Sequence, residues 1–455
     1  MTLLRSRETG SATTAPLVAR AVHHDPVDLI ALFGAARGAG HDADIWLDAA
    51  GGRSLVGIGR AAGVEPEGPE RFGSLAAAWV ALVDDITVEG PAADSPLAGP
   101  MLLGGGTFRD HPSSDPRWTG FGTVAFHVPR VLVATADGVT VVTTIGGAGM
   151  DRLDAMLGGT SVTYAHPAPI LEVVGLDPDR GAWSSSVARI TGAVGRGRLD
   201  KVVVARRVDL RADRPLDPVA IVHRLEASDH GDPSPGARLT STVFAFARGG
   251  RTFLGSSPER LASVRGRELR TMALAGTSAR GADALEDGAM GAALLASEKD
   301  REEHAVVVAM LRETLAPLVM DLALPRTPRI VRSARLQHLL TDASGTLREG
   351  VGLFDVIQRL HPTPAVGGWP TDAALDLLDE ESDLDRGWYA GPVGWIDRSG
   401  DGDISVAIRS GLVDGCDASL FAGCGIVADS EPDREWAESE LKLRVLGDAL
   451  GWSGG

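Results

Sequence analysis

The chain has 455 residues, 44% of them hydrophobic, and its 61 acidic against 44 basic residues leave a net charge of −17. That length and apolar content allow a large core, and the acidic balance argues against nucleic acid or an anionic membrane as a partner. Cys416 and Cys424 stand without CxxC or Cys/His zinc spacing, and no apolar run approaches the ~20 residues of a membrane span, so a cytoplasmic protein without structural disulfides is expected. Residues 1–22 carry Arg5, Arg7 and Glu8 and no unbroken apolar stretch, unlike a signal peptide.

In chain order, residues 74–83 read as an apolar helix. Gly104-Gly105-Gly106 precedes no helix and lacks phosphate-loop spacing, so it reads as a turn. Residues 121–128 and 130–134 are apolar strands broken at Pro129, and Asp137-Gly138 signals a hairpin into a strand over 139–145. The Pro-rich stretch 166–179 reads as a seam. It separates an N-terminal part, residues 1–175, from a core, residues 176–455. That core opens with an amphipathic helix over 184–197 and the strand Lys201-Val-Val-Val-Ala-Arg206. Strands over 241–247, 251–255 and 260–273 follow, then a long helix over 297–318, hairpins over 393–427 and a final helix. Strands joined mostly by hairpins, with helices between groups of them, predict an α+β fold and speak against a dinucleotide site.

Both late helices carry acidic residues on a stripe that otherwise looks inward. Ser430, with Pro432 after it, reads as a helix start, and beyond it Glu435, Glu438, Lys442, Val445 and Leu446 share one face. On the long helix Ser297 and Asp300 form a capping-box-like start, and Glu303 lies in line with Val307, Met310 and Thr314. Such glutamates either form surface ion pairs or hold a divalent ion through oxygen ligands, for which Mg²⁺ is the natural occupant. Lys201 is either a strand-end lysine in water or an amine carried into an apolar wall, as a general base needs. Glu259, in Ser257-Pro-Glu259-Arg260, is a proton donor or a partner of Arg260. His361 sits in a rigid His-Pro-Thr-Pro segment, and Arg409 ends a strand where a bidentate carboxylate clamp fits.

Together these stretches resemble the chorismate-utilising enzymes, and within them the isochorismate synthases of menaquinone and siderophore pathways. The resemblance runs from about Ser184 to Leu450. It rests on the Lys201 strand, Ser257-Pro-Glu259, Ala275-Gly276-Thr277, Ser297 to His304, Leu360 to Gly368, Arg386 to Trp395, Val406-Ala-Ile-Arg409 and the block Ala422 to Lys442. It implies one large fold like that of anthranilate synthase component I, with two packed antiparallel sheets flanked by helices (α/β/β/α). It further implies Mg²⁺ held by Glu303 and Glu438 with help from Glu435. Arg409, Lys442, Tyr389, Gly423 and Gly425 would grip the substrate dianion, while Gly276, Thr277 and His361 line the ring. Cys424 stands where an alanine is common.

The implied reaction moves a hydroxyl from C4 of chorismate to C2, with Lys201 as base and Glu259 as acid. Ammonia-using relatives carry glutamine at the Lys201 position, and aminodeoxychorismate synthases carry a lysine within the 275–277 segment. An amidotransferase subunit is therefore not expected, and a monomer is. The alternatives are a salicylate synthase, which goes on to expel pyruvate, and a non-catalytic chorismate-binding relative.

Overall fold

The computed structural model describes residues 17–48, 52–147, 168–228, 238–333 and 335–452, with Leu153, Met156, Gly454 and the backbone of the strand Leu3–Arg5. Two large sheets organise them. The first runs, in spatial order, Leu3–Arg5, Ala62–Val64, Val124–Val128, Met101–Gly106, Pro392–Asp397, Gly402–Val406, Arg260–Arg265, Glu268–Ala279, Leu336–Thr346 and Arg329–Arg332. The second runs Leu171–Asp177, Lys201–Ala212, Asp417–Ile426, Ser410–Asp414, Arg251–Ser257, Thr242–Arg248, Ala43–Asp48, Ser54–Ile58, Val131–Ala136, Val139–Ile145, Leu17–His24 and Ile86–Glu89. The short strand Gly368–Trp369 adds to it alongside Lys201. Named strands pair antiparallel throughout except Leu17–His24 with Ile86–Glu89.

Alternation along the strands explains the layering. Phe244 and Phe246 face the core between the sheets, where Phe253, Trp388 and Phe121 meet edge to face. Val243 and Ala245 point the other way, into a second core under the helices Leu29–Gly38, Pro218–Ser228 and Pro432–Leu450. The helices Arg71–Asp84, Glu298–Leu315 and Leu353–Leu360 cover the first sheet. The α+β fold with an α/β/β/α layering therefore stands as expected.

Three local expectations give way. Gly104, Gly105 and Gly106 do not turn but lie fully buried in the strand Met101–Gly106, paired on both sides. A Cβ on Gly105 would stand 2.7 Å from Val393 and 2.8 Å from Trp388, so glycine lets the strand pass under bulky neighbours. The seam at 166–179, of which 166–167 lie outside the described residues, contains the strand Leu171–Asp177, bonded along Lys201–Ala212. Position 175 falls inside that strand, where its register shifts, and strands from both sides of it enter both sheets. Ser430 is not the helix cap. Its hydroxyl accepts from Val427 N–H at 3.1 Å, and Pro432 opens the helix.

Candidate active site

Two strands cross between the sheets side by side, and the site lies where they cross. The strand Arg251–Ser257 of the second sheet passes through Pro258 and Glu259 into Arg260–Arg265 of the first. The strand Gly402–Val406 of the first passes through Ala407, Ile408 and Arg409 into Ser410–Asp414 of the second. Val406 N–H donates to the Glu259 carbonyl at 3.0 Å and ties the crossings together. Arg409 takes φ 54°, and Ala390 beside it φ 62°. Left-handed backbone in non-glycine residues is held at a cost of roughly 1–3 kcal/mol and tends to gather at functional sites.

Around the crossings lies a cavity with an empty volume of about 600 Å³. Lys201, Glu259, Gly276, Thr277, Glu303, Tyr389, Arg409, Gly423, Gly425, Glu438 and Lys442 all line it. Lys201 is 1% exposed, not in water, and donates to Glu303 Oε1 at 2.7 Å. Burial disfavours the Glu303 carboxylate, but the Lys201 ammonium bonded to it and Lys442 and Lys299 nearby together outweigh that cost and lower its pKa. Lys442 bridges Glu438 at 2.6 Å and the Gly423 carbonyl at 2.8 Å. Tyr389 stacks on Phe421 at 5.2 Å between ring centres, and burial raises its phenol pKa.

Glu259 behaves differently. Burial pushes its pKa up to about 7 against the pull of Arg409, Lys201 and Lys442. A carboxyl so placed can be an acid near neutrality.

Gly425 keeps the cavity open. A Cβ there would lie 2.4 Å from Lys201 Cε and 2.6 Å from Glu303 Oε1. Gly276, at φ 81°, sits at the register shift of the strand Glu268–Ala279 and turns Thr277 toward His338, whose Nδ1 lies 3.1 Å from the threonine hydroxyl.

Two expected residues lie off the cavity wall. His361 does not reach the ring site. Its Nε2 lies 3.1 Å from the Phe108 carbonyl, its ring sits edge-on between Phe72 and Phe108, and burial lowers its pKa to about 3. It is a neutral packing residue, displaced from the site because the apolar cage of Phe72 and Phe108 claims the imidazole. Glu435 is buried behind Glu438 and accepts from Lys299 at 2.7 Å.

The fit of the acidic set to a cation can be judged from its own electrostatics. Burial first, and then Glu438, raise the pKa of Glu435, and the Lys299 ammonium feels Glu435, Glu303 and Glu438 together. Glu303 and Glu438 line one cavity and Glu435 stands beside Glu438, each with a lysine as counter-ion, so that a hard divalent ion with oxygen ligands could draw on this set only by displacing those lysines.

The sequence did not flag His338, Ala365, Val366 or Arg386, all of which line the cavity. His338 sits on the strand Leu336–Thr346, directly opposite Thr277 in register. That pairing is the signal that would have found it. Arg386 lies in a stretch already singled out, yet it points its guanidinium at the carbonyls of Val366 and Val203, at 2.8 and 2.5 Å. It braces the wall.

Comparison with known proteins bears on the family and the fold. The chain is 36% identical to the salicylate biosynthesis isochorismate synthase of Pseudomonas aeruginosa over 96% of its own length and 91% of that protein. It is 34% identical to the isochorismate synthase MenF of Bacillus subtilis over 89% of its length and 87% of that protein. The structure of the menaquinone-specific isochorismate synthase MenF from Escherichia coli shares the fold, with a TM-score of 0.76 at 24% identity, covering 96% of this chain and 95% of that one. Anthranilate synthase component I from Streptococcus pneumoniae also shares it, with a TM-score of 0.65 at 16% identity, 97% of this chain and 95% of that one. The profile of the family described as chorismate binding enzyme matches residues 4–451, and the chain belongs to that family.

Proposed function

We propose that this protein isomerises chorismate to isochorismate with the help of Mg²⁺. The observation that carries the reading is that one cavity is lined both by a buried amine, Lys201, and by a buried carboxyl, Glu259, whose pKa of about 7 keeps it available as a proton donor. The reaction adds water at C2 of the ring and releases the C4 hydroxyl. Lys201 takes a proton from the attacking water, and Glu259 gives one to the departing hydroxyl, so that a water leaves and the substrate is isomerised. Turnover requires Lys201 to give up Glu303 as its partner and to shed the proton of the ammonium that makes that pair, because only the neutral amine can take a proton from water.

Glu303 and Glu438 would hold the magnesium, with Glu435 behind them. Bound there, the ion supplies orientation and electrophilic stabilisation of developing negative charge. Arg409 and Lys442 offer the cationic grip for the substrate carboxylates that the overall charge of −17 denies. Thr277 and Gly276 border the flat ring, and Tyr389 closes the pocket near Gly423.

Lysine at 201 selects water rather than ammonia by giving the water a base. The test is to incubate the purified protein with chorismate and Mg²⁺ and to separate the products. Isochorismate without pyruvate supports the reading. Stoichiometric salicylate and pyruvate would favour a salicylate synthase, and no conversion a binding protein.

A further inference from the structure

Alternation sends the side chains of the strand Lys201–Ala212 two ways. Lys201 and Val203 line the catalytic cavity, and Arg206 projects from the opposite face onto the helix Pro432–Leu450. There Arg206, fully buried, donates through Nε to the Ser439 hydroxyl at 2.7 Å and through Nη2 to the Glu440 carboxylate. Its guanidinium lies 3.9 Å from the centre of the Trp436 ring. Trp436 in turn meets Trp183 edge to face, and Trp183 Nε1 donates to the Pro432 carbonyl at 3.2 Å. Trp436, Ser439 and Glu440 form a stripe of the helix beside the one that carries Glu438 and Lys442 to the cavity. One buried side chain thus ties the rotation of that helix to the strand that begins at Lys201.

An arginine is a costly way to pack this contact. Burial lowers its pKa despite the Glu440 carboxylate, Nη1 finds no partner among the described residues, and Glu440 is only half-buried. A well-packed apolar side chain of similar volume in place of such a pair is often neutral or stabilising. What the guanidinium adds is direction, because its planar fork meets two acceptors and a ring face in one fixed orientation. Resting on the proposed roles of Glu438 and Lys442, we propose that Arg206 is a positioning residue. Its fork sets the helix Pro432–Leu450 so that Glu438 presents its carboxylate to magnesium and Lys442 its ammonium to the substrate. Arg206 does not line the cavity and acts only through the helix.

The test measures Mg²⁺ binding and, in metal-free protein, chorismate binding by calorimetry, on the full-length chain and on variants whose folding is followed by thermal unfolding. Arg206→Met should weaken Mg²⁺ binding about 10–100-fold, the range for loss of a residue that orients a metal ligand, with thermal unfolding little changed. Arg206→Lys, which keeps the charge over Trp436 but loses the fork, should not restore it. Ser439→Ala and Glu440→Ala should each show part of the loss. Adding Arg206→Met to the two together should cost little more, since the same bonds are already gone. The Ser439 and Glu440 variants decide the matter should Arg206→Met not fold. Unchanged Mg²⁺ affinity in folded Arg206→Met, full recovery in Arg206→Lys, or a loss confined to thermal stability would overturn the proposal. If the unmodified protein bound no Mg²⁺, the magnesium reading would fall and chorismate affinity would judge Arg206 alone. That affinity should still drop in Arg206→Met because Lys442 is displaced, and an unchanged value would overturn the positioning role.

Discussion

Asp44 and Glu259 are both buried carboxyls, and they are driven in opposite directions. Asp44, in the second sheet, receives Arg248 at 3.1 Å and lies 3.0 Å from His127 Nε2, and its pKa falls to about 2 although burial opposes ionisation. Glu259 feels Arg409, Lys201 and Lys442 only at a distance, no hydrogen bond reaches its carboxyl among the described residues, and burial lifts it to about 7. The first is a closed structural cluster whose charges are satisfied internally. The second faces a cavity in which Lys201 and Lys442 are bonded to Glu303 and Glu438 instead of to it. What separates a supporting charge from a reacting one here is therefore not burial but whether its partners are within reach.

The largest expected effects fall on the open cluster. Glu259→Gln and Lys201→Ala should each lower kcat by about 10²–10⁴-fold, the range for loss of a general acid or base. Thermal unfolding of Glu259→Gln should stay close to that of the unmodified protein, whereas Lys201→Ala should also lose stability because it leaves Glu303 without its partner. Asp44→Asn should do the reverse. It strands Arg248 in the core and should cost about 3–5 kcal/mol in a urea titration, with turnover per folded molecule preserved. If Asp44→Asn abolished activity and left stability intact, the contrast between the two clusters would fail.

Next comes pH. Asp44 has a folded pKa below its ordinary 3.8, so its stabilisation is present above that value and is lost as pH falls toward about 2. Glu259 has a folded pKa above its ordinary 4.5, so its contribution is present below 4.5 and is lost as pH rises through about 7. Unfolding titrations should show Asp44→Asn flattening the acid limb and Glu259→Gln flattening the neutral one. In kinetics, kcat/KM should fall as pH rises through about 7, because the acid form is consumed.

A smaller effect is expected from Gly425→Ala. Its methyl would press on Lys201 Cε and Glu303 Oε1 and should reduce kcat/KM by about 10-fold or more, in line with a displacement near 1 Å at reacting groups. Unchanged kinetics would mean that the Lys201–Glu303 pair can move aside freely.

Much of this site was legible in the sequence because its residues sit beside punctuation. Pro258 marks one crossing between sheets, and the glycines at 423 and 425 mark a strand that something must approach. The helix stripes containing Glu303 and Glu438 follow from periodicity alone. Burial of Lys201 was not legible, since an amine at the start of a Val-Val-Val strand reads equally well in water, and only the pairing with Gly368–Trp369 and the Glu303 helix encloses it. His338 was missed because its place opposite Thr277 depends on register between strands about sixty residues apart. His361 looked like a ring contact because the Pro-rich segment fixes its backbone, but nothing local reveals that Phe72 and Phe108 will enclose its side chain. The three glycines at 104–106 misled for a related reason, since a demand for close packing and a demand for a turn look alike in one dimension.

The central claim is that Glu259 stays protonated near neutrality in the free protein. Infrared difference spectroscopy across a pH titration, comparing the unmodified protein with Glu259→Gln, measures this directly. A protonated-carboxyl band that persists until the pH approaches about 7, and is missing from the variant, is the predicted result. A carboxyl that ionises near 4.5, like an ordinary glutamate, would contradict it.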